Sequence, residues 1–423
     1  MCDTPRVIQL WGLAVAIATY LLALTQCCSA PLPDLDKPHH TKEGFTNIYS
    51  YEEPDFFDFL KWRWQRFWKK TPKPEDYQFP IDKNDPPFLR SNRERTTLTW
   101  IGHATVFLQL GGKNILTDPH FSERASPVQW AGPRRIVPPG LALKDLPTID
   151  IVVISHDHYD SLDKGSIVRL YKREGGKRTT FYVPLGLKTW FEDLGISNVV
   201  ELDWWDNYGQ GGLQITPVPV HHWSQRSLSS KNKTLWAGWV IASSSFRFFF
   251  CGDTGYTPIF TEIGSRLGPF DLSAIPIGAY EPRWFMRYHH ISPEEALQIH
   301  LDIHSKKSVA IHWGTFILTD EALDEPPQRL KRALNEKRLP REAFLILMHG
   351  QTIVLDYLYE VCISLKLDNI LEVGLLGIWW GFFSIAWSAA LFSIFYTRVI
   401  LRMCLTERSS KHRFKSNTPC PAG

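Results

Sequence analysis

From Thr96 onward, apolar and polar residues follow the pattern of short strands separated by turns. The runs TVFLQL and ILTD flank Gly111-Gly112, which predicts a β-hairpin. The run IDIVVISH is a continuous apolar strand that ends at His156, and LILMHGQTIVLD predicts a last hairpin. Helical stretches alternate with these strands, so the pattern predicts a layered α/β domain.

The clearest helix is predicted in the stretch SPEEALQIHLDI. Ser292 is placed to cap its N-terminus, Pro293 takes its first position, and Glu295 completes a capping box. A second helix is predicted in DFFDFLKWRWQRFWKK, where basic side chains lie beside an apolar stripe. Such a helix fits either the surface of a bilayer or a face packed on the domain. Trp62 falls outside the stripe, which consists of Phe57, Leu60, Trp64, Phe67 and Trp68.

Two uncharged segments lie near the ends of the chain. Residues 7–24 form either a cleaved signal that ends near Ala30 or an uncleaved anchor. Residues 373–397 are 25 positions without a charge, which predicts a transmembrane helix because a span needs about 20. The tail beyond is basic, so the positive-inside rule places it in the cytosol. We therefore predict a protein of the secretory or endomembrane system, with its body in the lumen or outside the cell.

These features predict five parts along the chain. In order they are a signal peptide or anchor, a linker with the aromatic helix, a folded α/β domain, a transmembrane helix and a basic tail. Their predicted bounds are 1–30, 31–90, 91–358, 373–397 and 398–423.

Composition narrows the class of protein further. The net charge of only +3 gives no general signal for nucleic-acid binding, and 13% aromatic residues favour a packed core. The seven cysteines lie mostly in the tails and include no C-x-x-C pair. The sequence therefore predicts neither a disulfide framework nor a cysteine zinc site.

Histidines and aspartates recur where predicted strands end. SHDHYD places His156, His158 and Asp160 at alternate positions after an apolar strand. Neutral imidazole and carboxylate groups are zinc ligands, in general four to an ion. Two ions that share one carboxylate would activate a water and clamp a phosphate or carbonyl, so the pattern predicts a binuclear metal site. The remaining members of the set are His222, Asp253 and His312.

This ordered set resembles the metallo-β-lactamase superfamily, which implies an αββα sandwich of two mixed sheets. Longer runs narrow the resemblance to N-acyl-phosphatidylethanolamine-hydrolysing phospholipase D, over roughly residues 55 to 355. These runs are WIGHATV, TDPHFSERASPVQWAGPRR, SHDHYDSLD, LDWWD, HHWSQR, LWAGWV, FFFCGDTGY, AIPIGAYEPRWFMRYHHISPEEA and KSVAIHWGTF.

The resemblance implies a role for the residues of the first zinc site and its surroundings. His156, His158 and His222 match the ligands of that ion, and Asp253 matches the carboxylate that bridges both ions. Asp118, in LTDPH, matches an aspartate that the family needs near the site. We expect it to be a buried carboxylate that orients a histidine ligand.

Two residues are implied to meet the substrate. His290, in RYHHIS, matches a histidine placed to contact the substrate phosphate. Tyr159 lies between the ligands, and it either lines the entrance for the lipid or packs as an ordinary aromatic residue.

Asp160 and His312 match ligands of the second zinc ion, but Ser161 stands where the family has a third, a histidine. A serine hydroxyl is a poor ligand beside imidazole, so this site is expected to be weakened. Three outcomes are open. Water takes the position, or His120 supplies the missing nitrogen, or the site holds one metal or none.

The resemblance implies a reaction as well as a site. A zinc-dependent phospholipase D would hydrolyse N-acyl-phosphatidylethanolamine to N-acylethanolamine and phosphatidic acid, by attack of a metal-activated hydroxide on phosphorus. It also implies a membrane phospholipid as substrate and a homodimer. Two alternatives stay open: a catalytically impaired lipid-binding relative, and a metallohydrolase of another phosphodiester or a lactone. A nuclease is not predicted, because no basic stripe accompanies the site.

Overall fold

Two mixed β-sheets of seven strands each form the centre of the fold, and the first two strands of the chain pair with each other in a separate antiparallel sheet. The strands, numbered in chain order, are β1 (His40–Thr41), β2 (Gly44–Phe45), β3 (Thr97–Gly102), β4 (Thr105–Leu110), β5 (Lys113–Thr117), β6 (Ile151–Val153), β7 (Thr180–Pro184), β8 (Val199–Leu202), β9 (Tyr208–Gln210), β10 (Leu213–Val218), β11 (Gly238–Ala242), β12 (Arg247–Phe250), β13 (Leu272–Pro276), β14 (Ser308–Ile311), β15 (Phe344–Leu345) and β16 (Thr352–Val354). The computed structural model describes residues 33–51, 54–69, 73 and 77–355.

Helices lie between the strands along the chain. They are α1 (Phe56–Trp68), α2 (Pro86–Ser91), α3 (Lys164–Lys172), α4 (Lys188–Glu192), α5 (Ile259–Leu267), α6 (Arg283–Met286), α7 (Pro293–Asp302) and α8 (Glu325–Glu336). Short 3-10 turns occur at Leu143–Asp145, Gly176–Arg178 and Arg341–Ala343.

Each sheet joins an antiparallel half to a parallel half. The first has the order β16-β3-β4-β5-β6-β7-β8 and becomes parallel from β5 onward. The second has the order β15-β14-β13-β12-β11-β10-β9 and is parallel from β12 to β15. The predicted pair of mixed sheets in an α/β fold is therefore confirmed.

The two faces of the first sheet are buried in different apolar clusters. In β6, Ile151 and Val153 join a cluster shared with strands of the second sheet, whereas Val152 joins one with Ile167 of α3. The indole N–H of Trp239, on β11 of the second sheet, donates to the carbonyl of Ile154, just after β6 of the first sheet. On the other side, α7 packs on β13. The layers therefore run helix, sheet, sheet, helix.

Two local predictions are confirmed and one is wrong. β4 and β5 form the hairpin predicted at Gly111-Gly112, where both glycines have positive φ. Helix α7 begins at Pro293, and Ser292 and Glu295 form the predicted capping box. The last hairpin does not form. Instead β15 pairs with β14 in the second sheet and β16 with β3 in the first, so this stretch crosses between the sheets.

The segment before α1 differs from the predicted linker, because it packs on the domain. Phe45 is buried in the core, and the imidazoles of His39 and His40 contact the carboxylate of Asp203 at 2.7 and 3.0 Å. Burial opposes ionisation, but hydrogen bonds from His39 and Lys37 hold the pKa of Asp203 below its usual range.

Helix α1 attaches to the domain by the side opposite its aromatic stripe. Trp62 is buried and stacks on Phe285, with ring centroids 5.1 Å apart. Arg66 pairs with Asp320 at 3.3 Å. Residues of the predicted stripe face outward instead, and Phe67 is 75% exposed. The packing of α1 therefore leaves its aromatic stripe uncovered by the described chain.

No helix in the described ranges is long and apolar enough to cross a membrane. The predicted signal or anchor at 1–30, the predicted span at 373–397 and the basic tail at 398–423 lie outside those ranges.

Candidate metal centre

The strand ends of both sheets bring the predicted metal ligands to one edge of the sandwich. His156 follows β6, His222 follows β10, Asp253 follows β12, and His312 directly follows β14. A rigid sheet fixes the position of each residue, while the loops leave the predicted metal-binding side chains clear of the strand ladder.

Three imidazoles form the first ligand group, which we define as His156, His158 and His222. The Nδ1 atom of His158 lies 2.9 Å from Nε2 of His156 and 3.2 Å from Nε2 of His222. A four-coordinate zinc ion with Zn–N distances of about 2.0–2.1 Å places its ligand atoms roughly 3.3 Å apart. The convergence of these three nitrogens therefore fits one such ion.

Hydrogen bonds on the far side of two rings fix which nitrogen carries the proton. The carbonyl of His289 accepts from Nδ1 of His222 at 3.0 Å. Ser155 donates its hydroxyl proton to Asp118, so its oxygen accepts from Nδ1 of His156 at 2.8 Å. Both rings then keep a lone pair on Nε2, the atom that faces the other ligands.

The sequence predicted that Asp118 orients a histidine, and in the structure Ser155 lies between Asp118 and His156. The Asp118 carboxylate accepts both the backbone N–H and the hydroxyl of Ser155. It is buried and its backbone has φ of 33°. Burial raises the pKa of Asp118, and the bonds from Ser155 act in the opposite direction.

A second ligand group consists of His103, Asp160 and His312. Nε2 of His312 lies 3.4 Å from Oδ2 of Asp160, and Nε2 of His103 lies 3.1 Å from the same oxygen. Asp253 stands between the groups, with its Oδ2 3.2 Å from His312 Nε2 and 3.9 Å from His156 Nε2. These distances place Asp253 where it can serve both groups.

Unpartnered atoms support a cation at this position. Oδ1 of Asp253 and Nδ1 of His312 are buried, and neither makes a hydrogen bond to any described residue. Leaving such groups unpaired is costly unless a ligand supplies the partner. Imidazole and carboxylate together suit a transition ion such as zinc better than calcium or magnesium. The residues present therefore fit a bound metal.

Burial and charge set the protonation of the ligands. Burial lowers the pKa of His158 to about 4 and that of His222 well below its usual value, so both are neutral at pH 7. Burial also opposes the charged form of His312, but Asp253 and Asp160 raise the pKa of His312 to about 10. The first group is thus ready to bind a cation, whereas His312 must first lose a proton.

His290 lies beside both ligand groups. Its ring centroid is 5.4 Å from that of His222 and 5.8 Å from that of His312. Burial lowers the pKa of His290 to about 4, so the ring is neutral at pH 7. Arg283 donates to its backbone carbonyl at 2.9 Å and fixes this loop.

Ser161 and His120 do not join the second ligand group. The Ser161 hydroxyl is buried and makes no hydrogen bond to the described residues. Nδ1 of His120 lies 3.1 Å from the guanidinium of Arg135, which also donates to the His120 carbonyl. The imidazole beside Asp160 belongs instead to His103, which was not among the predicted ligands. Its only signal in the sequence is the histidine of WIGHATV, directly after β3.

Tyr159 both packs and lines an opening. Its hydroxyl donates to the carbonyl of Arg226 at 2.8 Å, and the Arg226 guanidinium lies 4.1 Å from the centre of its ring. The same guanidinium donates to the carbonyls of Asp157 and Leu162, which fixes the ligand loop. The opening is a largely apolar groove of about 800 Å³ that reaches both Asp160 and Asp253.

Comparisons with known proteins agree with this geometry. The model of the β-lactamase superfamily domain matches residues 113–313. Over 250 residues, the chain is 44% identical to N-acyl-phosphatidylethanolamine-hydrolyzing phospholipase D 1 of Caenorhabditis elegans, a match that covers 56% of this chain and 70% of that protein. The chain belongs to the N-acyl-phosphatidylethanolamine-hydrolysing phospholipase D family.

Membership of this phospholipase D family makes the protein a metal-dependent hydrolase of the phospholipase D type. A second relative comes from Saccharomyces cerevisiae and is named N-acyl-phosphatidylethanolamine-hydrolyzing phospholipase D, mitochondrial. It is 35% identical to this chain over 240 residues, a match that covers 55% of this chain and 50% of the yeast protein. A possible metal-dependent hydrolase from Veillonella parvula shares the fold with a TM-score of 0.50 at 17% identity, over 62% of this chain and all of that one.

Proposed function

We propose that the protein is a zinc-dependent phospholipase D that converts N-acyl-phosphatidylethanolamine to N-acylethanolamine and phosphatidic acid. One observation carries the proposal: the apolar groove of about 800 Å³ ends at the residues of the metal centre. A diacyl phospholipid with an acylated headgroup needs apolar walls beside the reacting phosphate. A small polar substrate would gain little from them.

The walls of the groove suit hydrocarbon chains. Phe59 and Trp62 of α1 form one side, Phe285 and Met286 of α6 lie nearby, and Trp223 stands next to the metal ligands. The ring of Trp223 lies 4.6 Å from that of His158. An acyl chain held against these side chains would leave its phosphate at the ligand groups.

The chain's own residues divide the work of hydrolysis. Bound zinc ions would supply Lewis-acid stabilisation of the phosphoryl oxygens and activation of a water. Asp253 holds the two ligand groups at a fixed separation, and Asp118 acts through Ser155 on the protonation of His156. His290 lines the groove beside both ligand groups, where one ring N–H can donate to the substrate phosphate. The reaction adds water oxygen to phosphorus, breaks the P–O bond to the N-acylethanolamine and leaves a proton on that oxygen.

The proposal is tested by measuring zinc per purified chain together with N-acylethanolamine release from vesicles. We expect two zinc ions per chain, loss of turnover after chelation, and recovery when zinc is returned. One ion or none, without turnover, would favour the lipid-binding relative that the sequence left open. Turnover of a glycerol-only phosphodiester at the same rate as the diacyl substrate would favour a different phosphodiester.

We further propose a bilayer as the partner of α1. Its exposed stripe adjoins the groove, since Phe56 and Phe59 line the groove while Phe57 and Phe67 are each 75% exposed. Aromatic side chains with basic neighbours favour the membrane interface. A homodimer and a lumenal or extracellular location stay predictions from the sequence.

Replacing Phe57 and Phe67 together by serine tests this surface. We expect vesicle binding to fall at least about tenfold, because each phenylalanine ring that inserts partly into the bilayer contributes on the order of 1 kcal/mol to binding. The thermal unfolding midpoint should not change, because both rings are exposed. Trp130→Ser removes an exposed aromatic ring elsewhere and serves as the control. Equal vesicle binding by both variants and the unaltered protein would rule out α1 as the docking surface.

A further inference from the structure

The second ligand group has a gap at one position and an additional imidazole nearby. Ser161 follows Asp160 directly, but its hydroxyl is buried without a partner among the described residues. His103 approaches Asp160 from a different part of the chain, the turn between β3 and β4. The geometry therefore brings a nitrogen donor to Asp160 even though position 161 offers none.

His103 has the geometry of a metal ligand. Its Nε2 lies 3.1 Å from Oδ2 of Asp160, and its ring centroid is 4.0 Å from that of His312. The donor atoms of these three residues lie within 4.8 Å of one another. A four-coordinate ion needs ligand atoms roughly 3.3 Å apart, so small movements would close the group around it.

The backbone holds His103 in place from several directions. Its N–H donates to Oγ1 of Thr315 at 2.8 Å, and its carbonyl accepts from the His312 N–H and from the Trp100 indole, each at 2.9 Å. It also adopts a left-handed conformation, with φ of 53°. A non-glycine residue held in that region by three hydrogen bonds is a pre-organised position, as ligands require.

We propose that His103 replaces the missing histidine at position 161 as a nitrogen ligand of the second metal ion. Together with Asp160, His312 and the shared Asp253, it completes a four-ligand set of two imidazoles and two carboxylates. The inference rests on the proposed two-metal site. It gives a physical reason why Ser161 does not abolish that site.

A competing arrangement makes His103 a positioning residue. It would then donate its N–H to Asp160 and act on the ion only through that carboxylate. The two arrangements differ in what a new histidine at position 161 does. It can replace a lost ligand, but it does not replace a lost hydrogen bond to Asp160.

The experiment compares His103→Asn, Ser161→His and the double variant as full chains. Asparagine tolerates the left-handed backbone and is a weak ligand, so it removes the imidazole without straining the turn. Affinities for the first and second Zn²⁺ are measured by competition with a chromophoric chelator. The visible spectrum of the Co²⁺-loaded protein reports ligand number, and thermal unfolding reports folding. His120→Asn is the matched control.

We expect His103→Asn to weaken binding of the second ion at least tenfold. Replacing a residue that only hydrogen-bonds to a metal ligand already lowers metal affinity about 10- to 100-fold, so loss of a ligand should cost no less. The first ion should bind as before, and the Co²⁺ spectrum should change. Ser161→His should restore second-ion affinity in the His103→Asn background and change it little on its own. His120→Asn should leave both affinities unchanged.

Three results would overturn the inference. The first is an unchanged affinity for the second Zn²⁺ ion in His103→Asn. The second is a loss of that affinity that leaves the Co²⁺ spectrum unchanged and is not restored by Ser161→His. The third is a loss of that affinity in His120→Asn but not in His103→Asn. These outcomes are separable from failure of the proposed function. A single ion in the unaltered protein would contradict the two-metal site itself, whereas two ions that persist in His103→Asn contradict only the role of His103.

Discussion

Replacement of Asp253 by asparagine is expected to reduce phospholipid hydrolysis by at least about a thousandfold, a loss comparable to removing a principal stabilising group from an active site. Its carboxylate faces both His156 and His312. Burial opposes ionisation, but His312 lowers the pKa of Asp253 below its usual value, so the group is a carboxylate at pH 7. A neutral amide of the same size removes the negative charge that both ligand groups share.

The measurement is kcat and KM on vesicles, with metal content determined on the same samples. Asp193→Asn makes the same chemical change at an exposed position and should behave like the unaltered protein. The unfolding midpoint of Asp253→Asn in the metal-free state should fall, because the substitution removes the carboxylate that pairs with His312 and leaves that buried imidazolium without its partner. Substantial turnover with two bound ions would show that Asp253 is not the shared ligand.

Asp118→Asn is expected to weaken the first metal site about 10- to 100-fold, as the loss of an outer partner of a ligand does. The amide N–H₂ would donate to the Ser155 oxygen, which would then turn its own proton toward Nδ1 of His156. That change moves the ring proton of His156 to Nε2, the atom that faces the other ligands. The substitution would therefore act by changing a tautomer two contacts away.

The measurement that checks this mechanism is the ¹⁵N shift of the His156 ring in metal-free protein, read beside Zn²⁺ affinity. We expect the proton on Nδ1 in the unaltered chain and on Nε2 in Asp118→Asn. Ser155→Ala is the informative companion, since it removes the connecting hydroxyl without supplying a donor, and its affinity should fall less. An unchanged His156 tautomer combined with lost affinity would mean that Asp118 acts by another route.

Local features of this protein follow from its sequence because their causes are short-range. The capping box at Ser292 and the hairpin at Gly111-Gly112 depend on residues within a few positions of each other. The predicted ligands could be recognised in the same way, since His156, His158 and Asp160 follow a single strand. The order of the strands in the sheets could not be predicted, because the pairing of β15 and β16 with different sheets depends on partners far away along the chain.

Helix α1 shows why a correct local pattern can leave orientation open. The apolar stripe at helical spacing is present, yet the buried residue is Trp62, which lies outside it. Packing on Phe285 and the pairing of Arg66 with Asp320 decide which side faces the domain. Hydrophobic periodicity cannot distinguish a face that packs on protein from one left for a membrane.

The sequence by itself determined the mixed-sheet α/β fold, the placing of the predicted ligands at strand ends and the family to which the chain belongs. Only the tertiary structure decided how the second ligand group is assembled. Asp160 and Ser161 are neighbours in sequence, but His103 reaches Asp160 from 57 positions away, through a turn bonded to the loop after β14. Residues that are distant in sequence meet only when the sheets form, so no local pattern reveals the contact.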